Sequence, residues 1–329
     1  MTTSVTIASA DLRVTVSPSV GGTITNVTHL ATGLSVLGRV PWDAIEAPIG
    51  SFTARDEIEW LTRYTGGWPL LFPNGGDACT TGGVFHGFHG EASIAPWDFS
   101  ADGHSIRLSR RFYTVPVEMQ RELVVEDDVL VVHERLRMLG PRSVEVMWGH
   151  HPTFGSDLLA GPVEISCGGR RVTVDADLES PVNPLRPGAT ANWPLVDGKH
   201  GSYDLSHPAG PISSLAYLHD FDDGWIAIRR TDNAIAAVLS WDASRFPCVW
   251  LWYEIQGIEE APWYGRASLI GLEPNTTMPA YDLATAKSRG SAVLRLSPGE
   301  ELSTTLRLQV LKPGGPITSL GEDGRVRPL

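Results

Sequence analysis

Histidines and carboxylates gather in three well-separated stretches of the chain. The first, Trp68 to Trp97, reads WPLLFPNGGDACTTGGVFHGFHGEASIAPW and holds Asn74, Asp77, His86, His89 and Glu91 between aromatic and proline anchors. The second is Gly149-His150-His151-Pro152-Thr153-Phe154-Gly155, and the third is Leu272-Glu273-Pro274-Asn275-Thr276. A carboxylate and a histidine assembled from distant segments are the usual equipment for moving a proton off one oxygen and onto another near neutral pH. Glu273 follows the apolar run Ser268–Leu272, where a carboxyl becomes partly buried. Burial raises a carboxyl pKa unless hydrogen bonds or a positive charge oppose it, which is the tuning a general base needs.

His150 and His151 pose a choice. Neighbours on a strand face opposite ways, so one of the two can pack in the core while the other faces a cleft, and Pro152 stops the ladder there. Taken alone, any single histidine here reads first as a hydrogen-bonded structural residue. His86, His89 and Glu91 invite a metal reading, but residues three apart on a strand point to opposite faces, so the two histidines converge on one ion only if Gly87–Phe88 turns. The spacing is not that of paired strand ligands, and the sequence predicts no metal. Trp241, Trp250, Trp252, Trp263 and Tyr264 read first as core aromatics, yet an aromatic at a cleft mouth, such as Trp252, also stacks on the apolar face of a sugar ring.

The elements that must carry these residues are strands. Pro69, Pro73 and Pro96 with Gly75–Gly76 and Gly82–Gly83 exclude a regular helix across the first stretch, which reads as loop, strand, turn and strand. Polar groups held between rigid turns and large apolar side chains suit a pocket for a small polar ligand. Alternation recurs over Val5–Val16, His104–Tyr113, Pro116–Val125, Leu130–Met138, Trp225–Arg229, Ala234–Ser240 and Ser303–Val310, with further strand-like segments at Ser143–Trp148, Val249–Glu254 and Ala292–Leu296. Helical periodicity is absent. Gly33–Asp56 is rich in turns, and Gly161–His207 has short strands, with Asp177–Pro208 an excursion over the surface.

With 42% hydrophobic and 19% charged residues the chain can bury a substantial core. The 24 prolines and 34 glycines, without any collagen-like period, point to an all-β protein of many short elements. No linker or composition shift divides it, so residues 1–329 are expected to form one β domain. A net charge of −12 argues against a nucleic-acid partner. Cys79, Cys167 and Cys248 match no zinc or disulfide spacing and suit a reduced, cytoplasmic setting. No uninterrupted apolar run of about 18 residues suggests a membrane span, and the N-terminus does not read as a secretion signal.

The order GGWPLLFPNGGDAC, FHGEASIAPW, MWGHHPTFG, WLWYEIQG, APWYG and LIGLEPNTT resembles the aldose 1-epimerase (galactose mutarotase-like) superfamily, and GGTITNVTHLATG is similar to its early strand pair. The likeness runs from about Val14 to Val310. It implies a large antiparallel β-sandwich with a sugar cleft on a concave face. It implies His151, before the proline of the HP motif, as the general acid on the ring oxygen, and Glu273 of LEP as the general base on the anomeric hydroxyl. His89 of HGE would orient the sugar, with His86 as a substitute. Asn74 would line the same wall, and Asp77 or Asp242 would supply a carboxylate to sugar hydroxyls. The sequence lacks the arginine that the pattern carries near Asn74–Asp77, which argues against galactose, while Arg121 or Arg266 would suit an anionic sugar. No cofactor is implied.

The expectation is therefore a cofactor-free aldose 1-epimerase for a hexose or modified sugar, as monomer or homodimer. Two alternatives stand beside it: a non-catalytic carbohydrate-binding protein on the same scaffold, and a metal-dependent sugar lyase using His86, His89 and Glu91.

Overall fold

The computed structural model describes residues 4–45 and 51–326, so part of the turn-rich Gly33–Asp56 stretch lies outside it. Its centre is a 14-stranded antiparallel sheet. From one edge the order is Leu70–Leu71, Gly149–His150, Ser268–Asn275, Cys248–Ile255, Ile212–Arg230, Ala236–Trp241, Glu301–Leu311, Val129–Met138, Val117–Glu126, Ser105–Arg111 and Asp98–Ala101. A four-stranded sheet of Val5–Ala8, Leu12–Ser17, Thr23–His29 and Leu34–Ser35 is a second layer. Ile7, Leu12, Val14, Val16, Ile24 and Val27 from this layer join Leu123, Leu130, Val132, Leu306 and Leu308 of the large sheet in one buried cluster. The architecture is a β-sandwich.

Strand formation follows the alternation. In Val117–Glu126 the residues Val117, Met119, Leu123 and Val125 turn inward, and the hairpin to Val129–Met138 closes over Asp127–Asp128 in strict register from Glu126↔Val129 to Val117↔Met138. Asp127 takes φ 50, the left-handed angle that a two-residue hairpin turn requires.

Two departures from the sequence pattern have physical causes. Short helices occur at Glu57–Leu61 and Leu283–Arg289, capped by Asp56 and Asp282; at 5 and 7 residues they are too short to display a period. Val163–Val174 and Ile212–Arg230 are strands of 12 and 19 residues, paired with each other, where short strands and a later start were expected. The run Asp220-Phe-Asp-Asp-Gly224 interrupts the apolar alternation, but Arg170 across the ladder binds both Asp220 (2.8 Å) and Asp222, so the strand continues through its acidic segment.

The consequence for the site lies at one end of the large sheet. Gly149 pairs with both Leu71 and Asn275, Thr153 and Trp252 both pair with Gly271, and Trp250 pairs with Glu273. Three stretches far apart in sequence become adjacent strands. Among the described residues no helix is long and apolar enough to cross a membrane.

Candidate active site

His151 follows the Gly149–His150 strand, and its backbone N–H donates to Pro69 O at 3.0 Å. Its Nε2 lies 3.7 Å from Oε1 of Glu273, and both side chains are buried. Gly271, two residues before Glu273 on the same strand, leaves the space that the carboxyl occupies: a Cβ there would overlap Glu273 Oε1. The ring of His151 is edge-on to His89, Tyr64 and Trp252 at centroid distances of 5.3, 5.8 and 5.8 Å, and Trp60 lies beside it at 5.9 Å. Trp263 extends the aromatic wall beyond Trp252.

His89 arrives through a strained turn. It takes φ 57, its N–H donates to Gly76 O, and Gly90 after it takes φ 75 in a gap where a Cβ would overlap Phe72 O. Glu91 anchors this turn from below, accepting from Arg110, from the Tyr113 and Thr114 N–H groups at 2.9 and 3.0 Å, and from the Thr114 hydroxyl. Trp60 Nε1 donates to Ser93 Oγ at 3.0 Å, which ties the helix Glu57–Leu61 to the same turn. Nδ1 of His89 bonds to Gly75 O. A carbonyl only accepts, so the proton sits on Nδ1 and the neutral ring offers Nε2 as a bare acceptor.

Electrostatics follow from burial without compensation. Burial pushes the Glu273 carboxyl well above the usual range, and its Oε2 has no hydrogen-bond partner among the described residues. Burial lowers His151 to about 4, and it lowers His89 well below the ordinary imidazole value, with His151 adding to the shift and the Gly75 bond opposing it. Burial therefore favours the neutral forms of Glu273, His151 and His89 alike.

The remaining expected site residues fall elsewhere. Arg121 is 1% exposed and points into the core, where its Nε pairs with Glu134 at 2.7 Å and it donates to Gly22 O, so it cannot meet an anionic sugar. Asn74 is fully buried and saturated: Nδ2 donates to the carbonyls of Gly76, Asp77 and Gly87, and Oδ1 accepts Leu283 N at 2.8 Å. It pins the loop to the second helix instead of touching a ligand. Asp242 closes its own turn by accepting from the Ser244 N–H and hydroxyl. Asp77 is exposed among the carboxylates of Glu57 and Asp282. Arg266 is exposed, stacked on Tyr264 and bonded to Pro262 O.

His86 sits opposite Cys79 on the hairpin, and it is His89 that meets His151. With the Glu91 carboxylate saturated by its own donors, the set His86, His89 and Glu91 does not assemble as metal ligands, and no group of three suitable side chains does so among the described residues. A groove of about 740 Å³ on the far end of the large sheet, lined by Arg107, Gln120, Glu122, His133 and Arg135, is remote from this chemistry, and its Arg107–Glu122 pair at 2.7 Å is self-satisfied. Trp60, Tyr64 and Thr153 were not singled out from sequence. The four-residue spacing of Trp60 and Tyr64 is the signal that a helix presents both to one side.

No family model matches the sequence, and no curated protein matches it. Solved structures do. A galactose mutarotase related enzyme from Lactobacillus acidophilus is 16% identical with a TM-score of 0.62, covering 94% of this chain and 97% of its own. A galactose mutarotase-like protein from Clostridium acetobutylicum is 15% identical with a TM-score of 0.60, covering 94% and 96%. Another from Lactobacillus casei is 17% identical with a TM-score of 0.57, covering 94% and 100%. At such identities the likeness is one of fold. With its antiparallel sandwich and the ordered motifs along it, the chain has the fold of the galactose mutarotase-like superfamily.

Proposed function

We propose that the chain is a cofactor-free aldose 1-epimerase acting on a free, uncharged sugar as one β domain. The observation that carries this reading is the 3.7 Å approach of His151 Nε2 to Glu273 Oε1 inside a wall of aromatic rings. Mutarotation needs an acid and a base on two oxygens of the same carbon, O5 and O1 attached to C1, so the two groups must lie close together. Arg121 is locked in the core by Glu134, and Arg266 is engaged by Tyr264 and Pro262 O, which favours a neutral ring.

In the reacting complex, Glu273 as carboxylate removes the O1 proton while His151, protonated on both nitrogens, delivers its Nε2 proton to O5. The C1–O5 bond breaks with its electron pair leaving on oxygen, and C1 becomes the aldehyde. Rotation about C1–C2 presents the other carbonyl face. The reverse transfers close the ring and restore the protonation states, so atoms and charge balance. The carboxylate–imidazolium form differs from the acid–imidazole form that burial favours by the position of one proton, and sugar hydroxyls between the groups stabilise the charges. His89, with Nε2 as acceptor, receives a hydrogen bond from a sugar hydroxyl. It therefore anchors a hydroxyl and does not donate to the ring oxygen.

The test is anomer equilibration of freshly dissolved hexoses, followed by polarimetry or NMR. Glu273→Gln should slow it about 10²–10⁴-fold, the range for one positioned acid–base group. Equal rates for native protein, variant and buffer would remove the epimerase reading and leave a carbohydrate-binding protein.

A further inference from the structure

We propose that the buried Tyr64–Thr153 hydroxyl pair is a positioning device for His151, accepting from Nδ1–H whether the ring is neutral or charged, so that Nε2, the nitrogen facing Glu273, is the one that gains and loses the proton. The inference rests on the epimerase reading for its purpose, but its geometry stands apart from any activity. Tyr64 reaches in from just beyond the helix Glu57–Leu61, and Thr153 lies on the strand that pairs with Gly271. Tyr64 is 5% and Thr153 0% exposed.

The direction of each bond follows from counting protons. Tyr64 OH donates to Thr153 Oγ1 at 2.7 Å, so the hydroxyl proton of Thr153 must go elsewhere. Two acceptors are in reach: His151 Nδ1 at 2.9 Å and His151 O at 3.4 Å. The carbonyl takes it, because that choice leaves Oγ1 a second lone pair for Nδ1–H and forms three bonds where the other forms two. Nδ1 is then a donor, and the neutral imidazole carries its proton there, with Nε2 bare toward Glu273. This is the same tautomer as His89, whose proton is held on Nδ1 by Gly75 O. Both rings therefore present a bare Nε2 to a ligand until His151 gains its second proton.

When His151 becomes an imidazolium the added proton is on Nε2, and nothing behind the ring has to move. Thr153 Oγ1 accepts from both Tyr64 and Nδ1, using two lone pairs, while its own proton stays bonded to His151 O. Neither state leaves Nδ1–H or the two hydroxyls unpaired, so a proton can arrive at Nε2 and depart from it without that penalty. Tyr64 stays a phenol throughout, since burial, opposed by the Thr153 bond and reinforced by Glu273, raises it above its ordinary value. The other groups facing His151 are Glu273 from the Ser268–Asn275 strand, His89 from its turn, Trp60 from the helix and Trp252 from the Cys248–Ile255 strand.

The decisive experiment is ¹⁵N NMR of histidine-labelled protein, comparing wild type with Thr153→Val, Thr153→Ser and Tyr64→Phe. The nitrogen shifts report the tautomer of His151 whether or not the protein turns over. Wild type and Thr153→Ser should show the proton of the neutral ring on Nδ1, whereas Thr153→Val should show a mixture and a lower acid limb in the pH–rate profile. Its kcat should fall about 10-fold, the factor for one lost hydrogen bond, with KM changed less. Tyr64→Phe should lie between. A wild-type tautomer in folded Thr153→Val, or a mixture in Thr153→Ser, overturns the proposal. If wild type equilibrates no anomers, the epimerase reading fails while the spectra still decide the tautomer.

Discussion

Two histidine–glutamate pairs lie on opposite sides of the chain at the end of the Gly149–His150 strand, and they behave as opposites. His150 Nε2 faces Glu134 at 3.4 Å in the core, and His151 Nε2 faces Glu273 at 3.7 Å beside the aromatic wall. Burial alone would raise both carboxyls. Around Glu134, however, His150 and Arg121 overcome that tendency and hold it down to about 2, while Trp148 Nε1 donates to its second oxygen at 3.1 Å. Trp68 Nε1 donates to His150 Nδ1 at 3.1 Å, which fixes that ring as well. Glu273 has no cation to oppose burial among the described residues, and its carboxyl rises. Identical residue types thus give a locked charge network on one face and a titratable pair on the other. His150 and then Arg121 lower the first carboxyl, and Arg121 has no counterpart beside Glu273 among the described residues.

That contrast can be broken first at Arg121. Arg121→Met leaves Glu134 without its guanidinium and should cost about 3–5 kcal/mol of stability in urea unfolding, the penalty for removing one partner of a buried pair. A loss below about 1 kcal/mol would mean the core network is not an ion network at all.

The His151–Glu273 pair should show itself in acid. His151 lies at about 4 in the fold against an ordinary 6.5, so between these values the unfolded chain binds a proton that the native state does not. Its contribution is complete above about 6.5 and is lost as pH falls toward 4, on the order of 3 kcal/mol for the full shift. Urea unfolding at several pH values should show this slope in the native protein and a shallower one in His151→Gln. Glu273 acts with the opposite sign, since its raised carboxyl favours the native state at low pH and loses that contribution as pH rises through its folded value. An unchanged acid slope in His151→Gln would place the titration elsewhere.

A smaller change sharpens the geometric half of the comparison. Gly271→Ala sets a methyl against Glu273 Oε1 and should lower the equilibration rate about 100-fold, as expected for a catalytic group displaced by about 1 Å. Stability should change less than in Arg121→Met. A rate within a factor of two or so of wild type would show that the carboxyl relaxes without consequence.

Much of the scaffold was legible because its cause is local. Alternation over Val117–Glu126 and Val129–Met138 specifies strands, and Gly82–Gly83 specifies the hairpin turn between Cys79–Thr81 and Val84–His86, where both take positive φ. Local rules also misled. Arg121 stands on the inward face of an otherwise apolar alternation, and nothing along its own strand announces the Glu134 that neutralises it from the neighbouring one. Asn74 looked like a ligand contact because loops with Asn and Gly often hold ligands, yet its four bonds run to its own loop and to the distant helix.

By itself the sequence determined an all-β chain, three stretches bearing acid–base residues, and a strand whose two histidines must face apart. The tertiary structure alone decided which histidine joins the aromatic wall and which carboxyl it meets. It also brought Tyr64 and Thr153 behind it. The physical reason is that a period of two assigns residues to opposite faces, but which face is covered, and by what charge, depends on strands that are neighbours only after folding.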